Sequence, residues 1–266
     1  MPMPDNNLFD IKKRVTAVKQ TRKITRTMEL IASSRVQRGK GLIADYQEWL
    51  EHMREAARNL PDSCFMPLSD SVSGSKKAYI IFGGSKGLSG PYSSNLLQYA
   101  KPIVKGHIVI AVGSATGKIF PEARSFFGDE APSAGFARSI ARSAKVICDS
   151  GEAKEIYMIY ARGSRQVTDR LFPFKPLERD NSAVIIEPSG EALFPTLAEE
   201  YAESIVYEAY LQAYMAEQIA RVSAMDNATR NADEIIEYLQ ATYNRIRQAT
   251  ITQEITTISS TIRGAG

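Results

Sequence analysis

Two long stretches of helical periodicity, one near each end of the chain, constrain the fold more than any other feature. The first, residues 8–60, contains no proline, and its apolar residues recur every three or four positions. The second, residues 193–262, has the same period, with Pro195 near its start. They predict helices of about 50 and about 70 residues, roughly 75 and 100 Å long. Such a long pattern without internal caps is typical of a coiled coil.

The segment between these stretches alternates between strand and helix patterns. The runs "KKAYIIF", "HIVIAV" and "AKEIYMIYA" are short and rich in β-formers, whereas "PYSSNLLQYAKPIV" and "SAGFARSIARSAKVICD" have helical spacing. This alternation predicts a mostly parallel sheet covered by helices. Two further runs, "RQVTDRLFPF" and "SAVIIEP", predict strands at an antiparallel edge.

The predicted fold class is therefore α/β, with a long antiparallel two-helix coiled coil plus a Rossmann-like α/β head domain. The helices pair antiparallel because a compact domain separates them in the sequence. The predicted parts are an N-terminal coiled-coil helix over residues 1–60, a linker and α/β head domain over 61–192, and a C-terminal coiled-coil helix over 193–266.

Composition excludes several classes of protein. The chain has 266 residues, of which 44% are apolar and 24% charged, enough to bury a substantial core. It contains no run of about 18 uncharged apolar residues, and its opening "MPMPDNNLFD" lacks an apolar stretch, so we expect neither export nor membrane insertion. Cys64 and Cys148 match neither a zinc spacing nor a disulfide framework. We expect a reducing compartment and no metal.

No pattern in the sequence predicts a catalytic or cofactor site. A phosphate-binding loop has four residues between its first glycine and a Gly-Lys pair, followed by Ser or Thr. In "VGSATGKIF" only three residues separate Gly113 from the Gly-Lys pair that begins at Gly117, and Ile119 stands in place of Ser or Thr. The loop "FGGSKGLSGPYSSN" also lacks a dinucleotide-binding spacing, so both loops are predicted to be structural turns. His52 and His107 belong to different elements and to no recognisable triad or metal signature. We expect no cofactor and no active site on this chain.

Positive charge is concentrated in the first helix. From residue 12 to residue 40 there are ten Lys or Arg and one acid, Glu29. Such a helix could follow nucleic-acid phosphates, which makes a nucleic-acid-binding coiled coil an alternative function. Against it, the charges lack interleaved stacking aromatics. The apolar residues of the basic segment fall at helical spacing: Val15, Val18, Ile24, Met28 and Ile31.

The C-terminal segment "NRIRQATITQEITTISSTIRGAG" has the opposite character. Beyond Arg247 its only charged residues are Glu254 and Arg263, and Thr, Ser and Ala surround isolated isoleucines. A helix that is weakly polar all round fits a tip enclosed by other chains without being tightly bound to them. The alternative is a frayed tail.

Four blocks of the sequence stand out, in order "IKKRVTAVKQTRKITRTMELIASSRVQR", "GLSGPYSSNL", "IIEPSGEALFPTL" and "AEQIARVSAMDNATRNADEIIEYLQATYNRIRQATITQEITTI". Together they resemble the blocks of the γ subunit of F-type ATP synthases. The resemblance implies a non-catalytic rotor, whose coiled coil turns inside a ring of alternating α and β subunits. The head would bind the ε subunit and the membrane ring of c subunits, at the cytoplasmic face of a bacterial plasma membrane. Neither nucleic acid nor direct membrane insertion is expected.

The resemblance also implies which residues bind partners. Those of the basic helix would face acidic loops of the β subunits: Lys19, Arg22, Lys23, Arg26 and Met28. Those of the C-terminal helix would contact β catch loops: Arg221, Arg247, Gln248, Thr252 and Glu254. Glu187 would lie near the ε and c contacts. Ile185, Ile186 and Ser89 depart from the family pattern, and no redox-control insertion is present. A γ-like subunit of a specialised F-type ATPase is a further alternative.

Overall fold

The computed structural model describes residues 4–58, 76–128, 131–174 and 190–264. It confirms the predicted fold class, with long N- and C-terminal helices and a central α/β sheet. The elements are α1 (Pro4–Arg58), β1 (Lys77–Phe82), α2 (Tyr92–Ile103), β2 (Ile108–Val112), α3 (Ser114–Ile119), β3 (Arg124–Phe126), α4 (Ala134–Asp149), β4 (Glu155–Arg162), β5 (Arg165–Phe172) and α5 (Gly190–Gly264). No helix within the described ranges is both long and apolar enough to cross a membrane.

The chain divides into two compact units. One, which we call the helical unit, comprises residues 1–31 and 222–266, and the other, the mixed unit, comprises residues 32–221. Parts of α1 and α5 therefore belong to each unit. The predicted domain boundaries, which followed the helices from end to end, stay a prediction.

The sheet of the mixed unit has the strand order β3-β2-β1-β4-β5. Its pairs are parallel except for β4 and β5, which are antiparallel. The predicted strand in "RQVTDRLFPF" is thus confirmed as an antiparallel edge. The predicted strand in "SAVIIEP" lies outside the described residues. The strand β3, of only three residues, was not predicted from the sequence.

The two faces of the sheet are covered by different helices. Ala78, Ile80 and Phe82 of β1 point to one face, in a core that also contains buried side chains of α4 and α5. Tyr79 and Ile81 point to the other face, where Leu96, Ala100 and Val104 cover them. This alternation is the period of two expected for a strand that is buried on both sides.

Within the mixed unit, α1 and α5 pack against each other in opposite directions. The Tyr46 hydroxyl donates to the Ser204 carbonyl over 3.1 Å, and the ring of Tyr46 meets Tyr207 edge-on at 4.7 Å between centroids. Gly39 lies opposite Met215, so later residues of α1 meet earlier residues of α5. The predicted antiparallel arrangement is present here.

In the helical unit the same two helices form a seam with a heptad spacing. Buried or half-buried side chains of α5 follow one another at intervals of four and three residues: Met225, Thr229, Ala232, Ile236, Leu239, Tyr243, Ile246 and Thr250. This spacing is that of a coiled coil. The hydroxyls of Thr25 and Thr229 lie 2.8 Å apart, and Arg22 is paired with Asp233, which again makes the helices antiparallel.

The apolar residues that fall at helical spacing in α1 are not all buried. Ile24 and Ile31 are 58% and 49% exposed, whereas Thr25 is buried. The seam runs through the half-buried Val18 to Thr25, a step of one heptad, and this register turns the neighbouring Ile24 outward. Apolar content alone therefore did not identify the buried position.

Candidate partner-binding surfaces

The first candidate surface is formed by exposed basic side chains of α1, which we call the basic cluster. Its members line one open depression together with Thr27, Thr229 and Asp233: Lys19, Arg22, Lys23 and Arg26. They share this depression because steps of three and four residues return to one side of a helix. The structure therefore brings together four of the five predicted residues of the basic helix, and places the fifth, Met28, half-buried on the same helix.

Only part of the charge in the basic cluster is balanced within the chain. Arg22 Nε lies 2.7 Å from Asp233 Oδ1, and Arg26 Nη1 lies 2.9 Å from Glu29 Oε2. Among the described residues, no carboxylate pairs with Lys19 or Lys23. Exposed ion pairs of this kind contribute about 0 to 1 kcal/mol and exchange readily. The cluster thus carries excess positive charge that an acidic partner can use.

The second candidate surface is the C-terminal part of α5. Every residue from 251 to 258 is exposed, in contrast to the seam that ends at Thr250. Thr25 of α1 lies opposite Thr229 of the antiparallel α5. Continued along both helices, this register brings Pro4, the first residue of α1, opposite Thr250. The remainder of α5 has no α1 residue among those described to pair with.

The isoleucines of this region, which look isolated in the sequence, form a narrow stripe. Ile251, Ile255 and Ile258 are spaced by four and three residues and are 45%, 62% and 60% exposed. At about 100° per residue, Arg247 and Glu254 fall on one border of this stripe, and Gln248 and Thr252 fall on the other. All four polar side chains are exposed. We call these seven residues the tip stripe.

Threonine hydroxyls near the tip stripe are satisfied by the helix itself. Each donates to the carbonyl four residues earlier, over 2.8–3.0 Å: Thr250, Thr252, Thr256 and Thr257. Because the hydroxyl proton is already used, these side chains present acceptor lone pairs and a methyl group to a partner. The surface is therefore weakly polar in the way that its composition predicts.

Arg221 differs from the other predicted residues because it is buried inside the mixed unit. Its side chain contacts Glu217 one turn earlier, and both are less than 10% exposed. It also donates to the carbonyls of Lys86 and Gly87 over 3.2 and 3.3 Å. Nearby, burial raises the pKa of the Tyr92 hydroxyl, which donates to the Ala213 carbonyl. Sequence analysis did not identify Glu217, although its i, i+4 spacing to Arg221 was a visible signal.

The loop after β2 is a tight turn that leads into α3. Gly113 has φ +93°, and a Cβ there would lie 2.7 Å from the Gly83 carbonyl oxygen, so only glycine fits. Within the described ranges, no group of three or more His, Cys, Asp or Glu is placed to hold a metal ion. Cys148 is buried. Glu187 and Cys64 lie outside the described residues.

Comparison with known sequences gives one family. A family model described as ATP synthase matches residues 7–263. The ATP synthase gamma chain of Ruminiclostridium cellulolyticum is 30% identical over 95% of this chain and 97% of its own length. That of Moorella thermoacetica is 32% identical over 95% of this chain and 96% of its own length.

Solved structures with a similar fold come from mitochondrial ATP synthases. A chain in the Euglena gracilis OSCP/F1/c-ring structure, rotational state 3, aligns with a TM-score of 0.73, covering 98% of this chain and 95% of that one at 15% identity. A chain in the Tetrahymena thermophila central stalk/c-ring structure aligns with a TM-score of 0.58, covering 77% and 99% at 19% identity. The first of these alignments covers nearly the whole chain.

Proposed function

This chain belongs to the ATP synthase gamma-chain family, and we propose that it is the central rotor shaft of an F-type ATP synthase. It would couple ion flow through a membrane ring of c subunits to ATP synthesis or hydrolysis at β subunits. The observation that carries the proposal is the change along α5 from a buried or half-buried heptad seam, which ends at Thr250, to residues 251–258, all of which are exposed. A helix end with this surface suits a sleeve formed by other chains.

The weak polarity of the tip stripe supports a rotating contact. A wide apolar face would favour one angle strongly, because burial contributes about 25 cal/mol per Å² of apolar surface. Here the apolar part of the stripe is a narrow row of three isoleucines along the helix axis. The threonine hydroxyls beside it donate to carbonyls of their own helix. We propose that Arg247, Gln248, Thr252 and Glu254 make exchangeable hydrogen bonds and ion pairs with β subunits from its two borders.

The basic cluster supports a second contact with acidic partner loops. Coulomb contacts at exposed positions are worth about 1 kcal/mol or less, so they can be made and broken at each step. We propose that Lys19, Arg22, Lys23 and Arg26, with Met28, form this contact. For Arg221, which is buried and whose Nη2 bonds to Glu217 and to two backbone carbonyls, we propose an indirect role, described below. Glu187 remains a proposed contact near ε and c subunits.

The role we propose for this chain is mechanical, with catalysis carried by other subunits of the ATPase complex. We place the complex at the cytoplasmic face of a bacterial plasma membrane, with this chain as a peripheral subunit. The gamma chains to which this chain is similar come from bacteria. The solved structures with a similar fold include an OSCP/F1/c-ring structure and a central stalk/c-ring structure, which fits the proposed α, β and c partners.

Purification of the native complex through a tag on this chain tests the proposal. We expect α, β, ε and c subunits to co-elute, with Mg²⁺-ATPase activity that the chain alone lacks. A matched sample offers random duplex DNA at physiological salt, where we expect no binding because the basic cluster neutralises only a few phosphates. Elution of the chain without α and β subunits, or salt-resistant DNA binding, would contradict the rotor function and favour the nucleic-acid alternative.

A further inference from the structure

Two buried side chains of α5, Glu217 and Arg221, form hydrogen bonds with the backbone of the loop between β1 and α2. The backbone N–H groups of Ser85 and Lys86 donate to Glu217, over 3.4 and 3.3 Å. The carbonyls of Lys86 and Gly87 accept from Arg221, over 3.2 and 3.3 Å. We call residues 84–88 the clamped loop. Its donors and acceptors thus meet side chains of opposite charge, placed one helical turn apart.

Burial of the Glu217–Arg221 ion pair carries a desolvation cost. Both side chains are less than 10% exposed, so neither charge is solvated by bulk water. A buried ion pair adds little net stability compared with apolar side chains, whereas loss of one partner leaves an uncompensated charge. The pair therefore calls for an explanation other than stability. Its hydrogen bonds to the clamped loop provide one.

The clamped loop ends in a strained residue. Leu88 has φ +66° and is the only non-glycine residue with positive φ among those described. A bulky side chain in this region is disfavoured and persists where the surroundings determine the backbone. Leu88 is 57% exposed, and Lys86 is exposed as well. Ser89, which follows Leu88, is buried. The strain thus turns an apolar side chain outward.

We propose that Glu217 and Arg221 are positioning residues, which hold the clamped loop in the conformation that presents Lys86 and Leu88 at the surface. Arg221 then influences coupling through this loop and not through a contact of its own with a β subunit. This inference rests on the proposed rotor function for its effect on turnover. Its structural part concerns the isolated chain alone.

Hydrogen exchange on the isolated chain tests the structural part. Arg221→Gln keeps a long polar side chain but removes the charge, and we expect the Ser85 and Lys86 amides to exchange at least about tenfold faster. Exchange in α4 should be unchanged. Arg221→Lys retains the charge, and its single ammonium cannot reach both carbonyls and Glu217, so an intermediate rate is expected. Unchanged exchange of the loop in both variants would overturn the proposal.

A double-mutant cycle in the assembled complex tests the functional part. We expect Arg221→Gln and Leu88→Ala each to lower ATP turnover, and the double variant to be no slower than the slower single one. Multiplying effects would show that Arg221 acts by a separate contact and would overturn the proposal. Arg230→Gln is the matched control, since it removes an exposed i, i+4 partner of Asp226 on the same helix. Failure of the unaltered chain to assemble would count against the rotor function, and the exchange result would still stand.

Discussion

The hydroxyl oxygens of Thr25 and Thr229 lie 2.8 Å apart in the buried seam between α1 and α5. Thr25 also lies 3.0 Å from the Arg22 carbonyl, and Thr229 lies 2.8 Å from the Met225 carbonyl. Two hydroxyls carry two protons, so only two of these three contacts hold a proton at one time. A polar pair of this kind in an apolar seam favours one register over its neighbours.

Replacement of either threonine by valine should therefore be mild. In each single variant the remaining hydroxyl still donates to its own helix, and we expect the free energy of unfolding to fall by about 0.5–1.5 kcal/mol. The double variant should lose less than the sum of the two. Urea denaturation of the four proteins measures the coupling. Additive losses would contradict a direct bond between the two hydroxyls.

Two glycines of α1 should respond oppositely to alanine. Gly41 has no atom within 4 Å of an added Cβ, so Gly41→Ala should stabilise the chain by up to about 1 kcal/mol through helix propensity. At Gly39 the added Cβ would lie 2.1 Å from Met215 Sδ. Because the propensity gain is the same and the end of the flexible Met215 side chain can shift, the difference between the variants should be about 1 kcal/mol, at the low end of overpacking costs. Equal stabilities in urea would refute the close packing of α1 on α5 there.

Cys148 should be almost unreactive in the folded chain. It is 6% exposed, and burial, with a smaller contribution from Asp149, raises the pKa of its thiol from 9.0 to about 11. Because the thiolate is the reactive form, alkylation at pH 8 should be roughly 100-fold slower than for an exposed thiol. The rate should rise about tenfold per pH unit towards pH 11. Iodoacetamide labelling in a Cys64→Ser background measures it, with the urea-unfolded chain as the fast reference.

The borders of the tip stripe should matter for turnover and little for folding. Arg247→Ala and Glu254→Ala remove exposed side chains, so we expect stability changes within about 0.5 kcal/mol. Each should lower ATP turnover of the assembled complex, and Thr252→Val should have a smaller effect. Gln253→Ala is the control, because Gln253 is exposed on the opposite side of α5. A melting loss that prevents assembly would show instead that these residues stabilise the chain itself.

The sequence was sufficient for the elements with strong periodicity. The two long helices, the parallel strands β1, β2 and β4 and the antiparallel edge β5 follow from runs of apolar residues and their spacing. The short strand β3 was missed because three residues cannot establish a period. The burial of Thr25 beside the exposed Ile24 did not follow from helical spacing, since spacings of three and four residues leave two adjacent positions equally plausible until the partner helix fixes the register.

The candidate surfaces were predictable to different degrees. Four basic residues gather on one side of α1 because their spacing dictates it, without any long-range contact. The burial of Arg221 was not predictable, since it depends on a loop more than 130 residues away in sequence. The strain at Leu88 was equally hidden, because the residue type gives no sign of a positive φ.

Observation of rotation in single complexes tests whether this chain is the rotor. A bead would be attached through a cysteine introduced at Lys154, an exposed residue before β4, with the α and β subunits fixed to a surface. We predict unidirectional rotation of the bead that requires Mg²⁺-ATP and that is slower in the Arg247→Ala complex. ATP turnover by the same complexes with a stationary bead would contradict the assignment of this chain as the rotor.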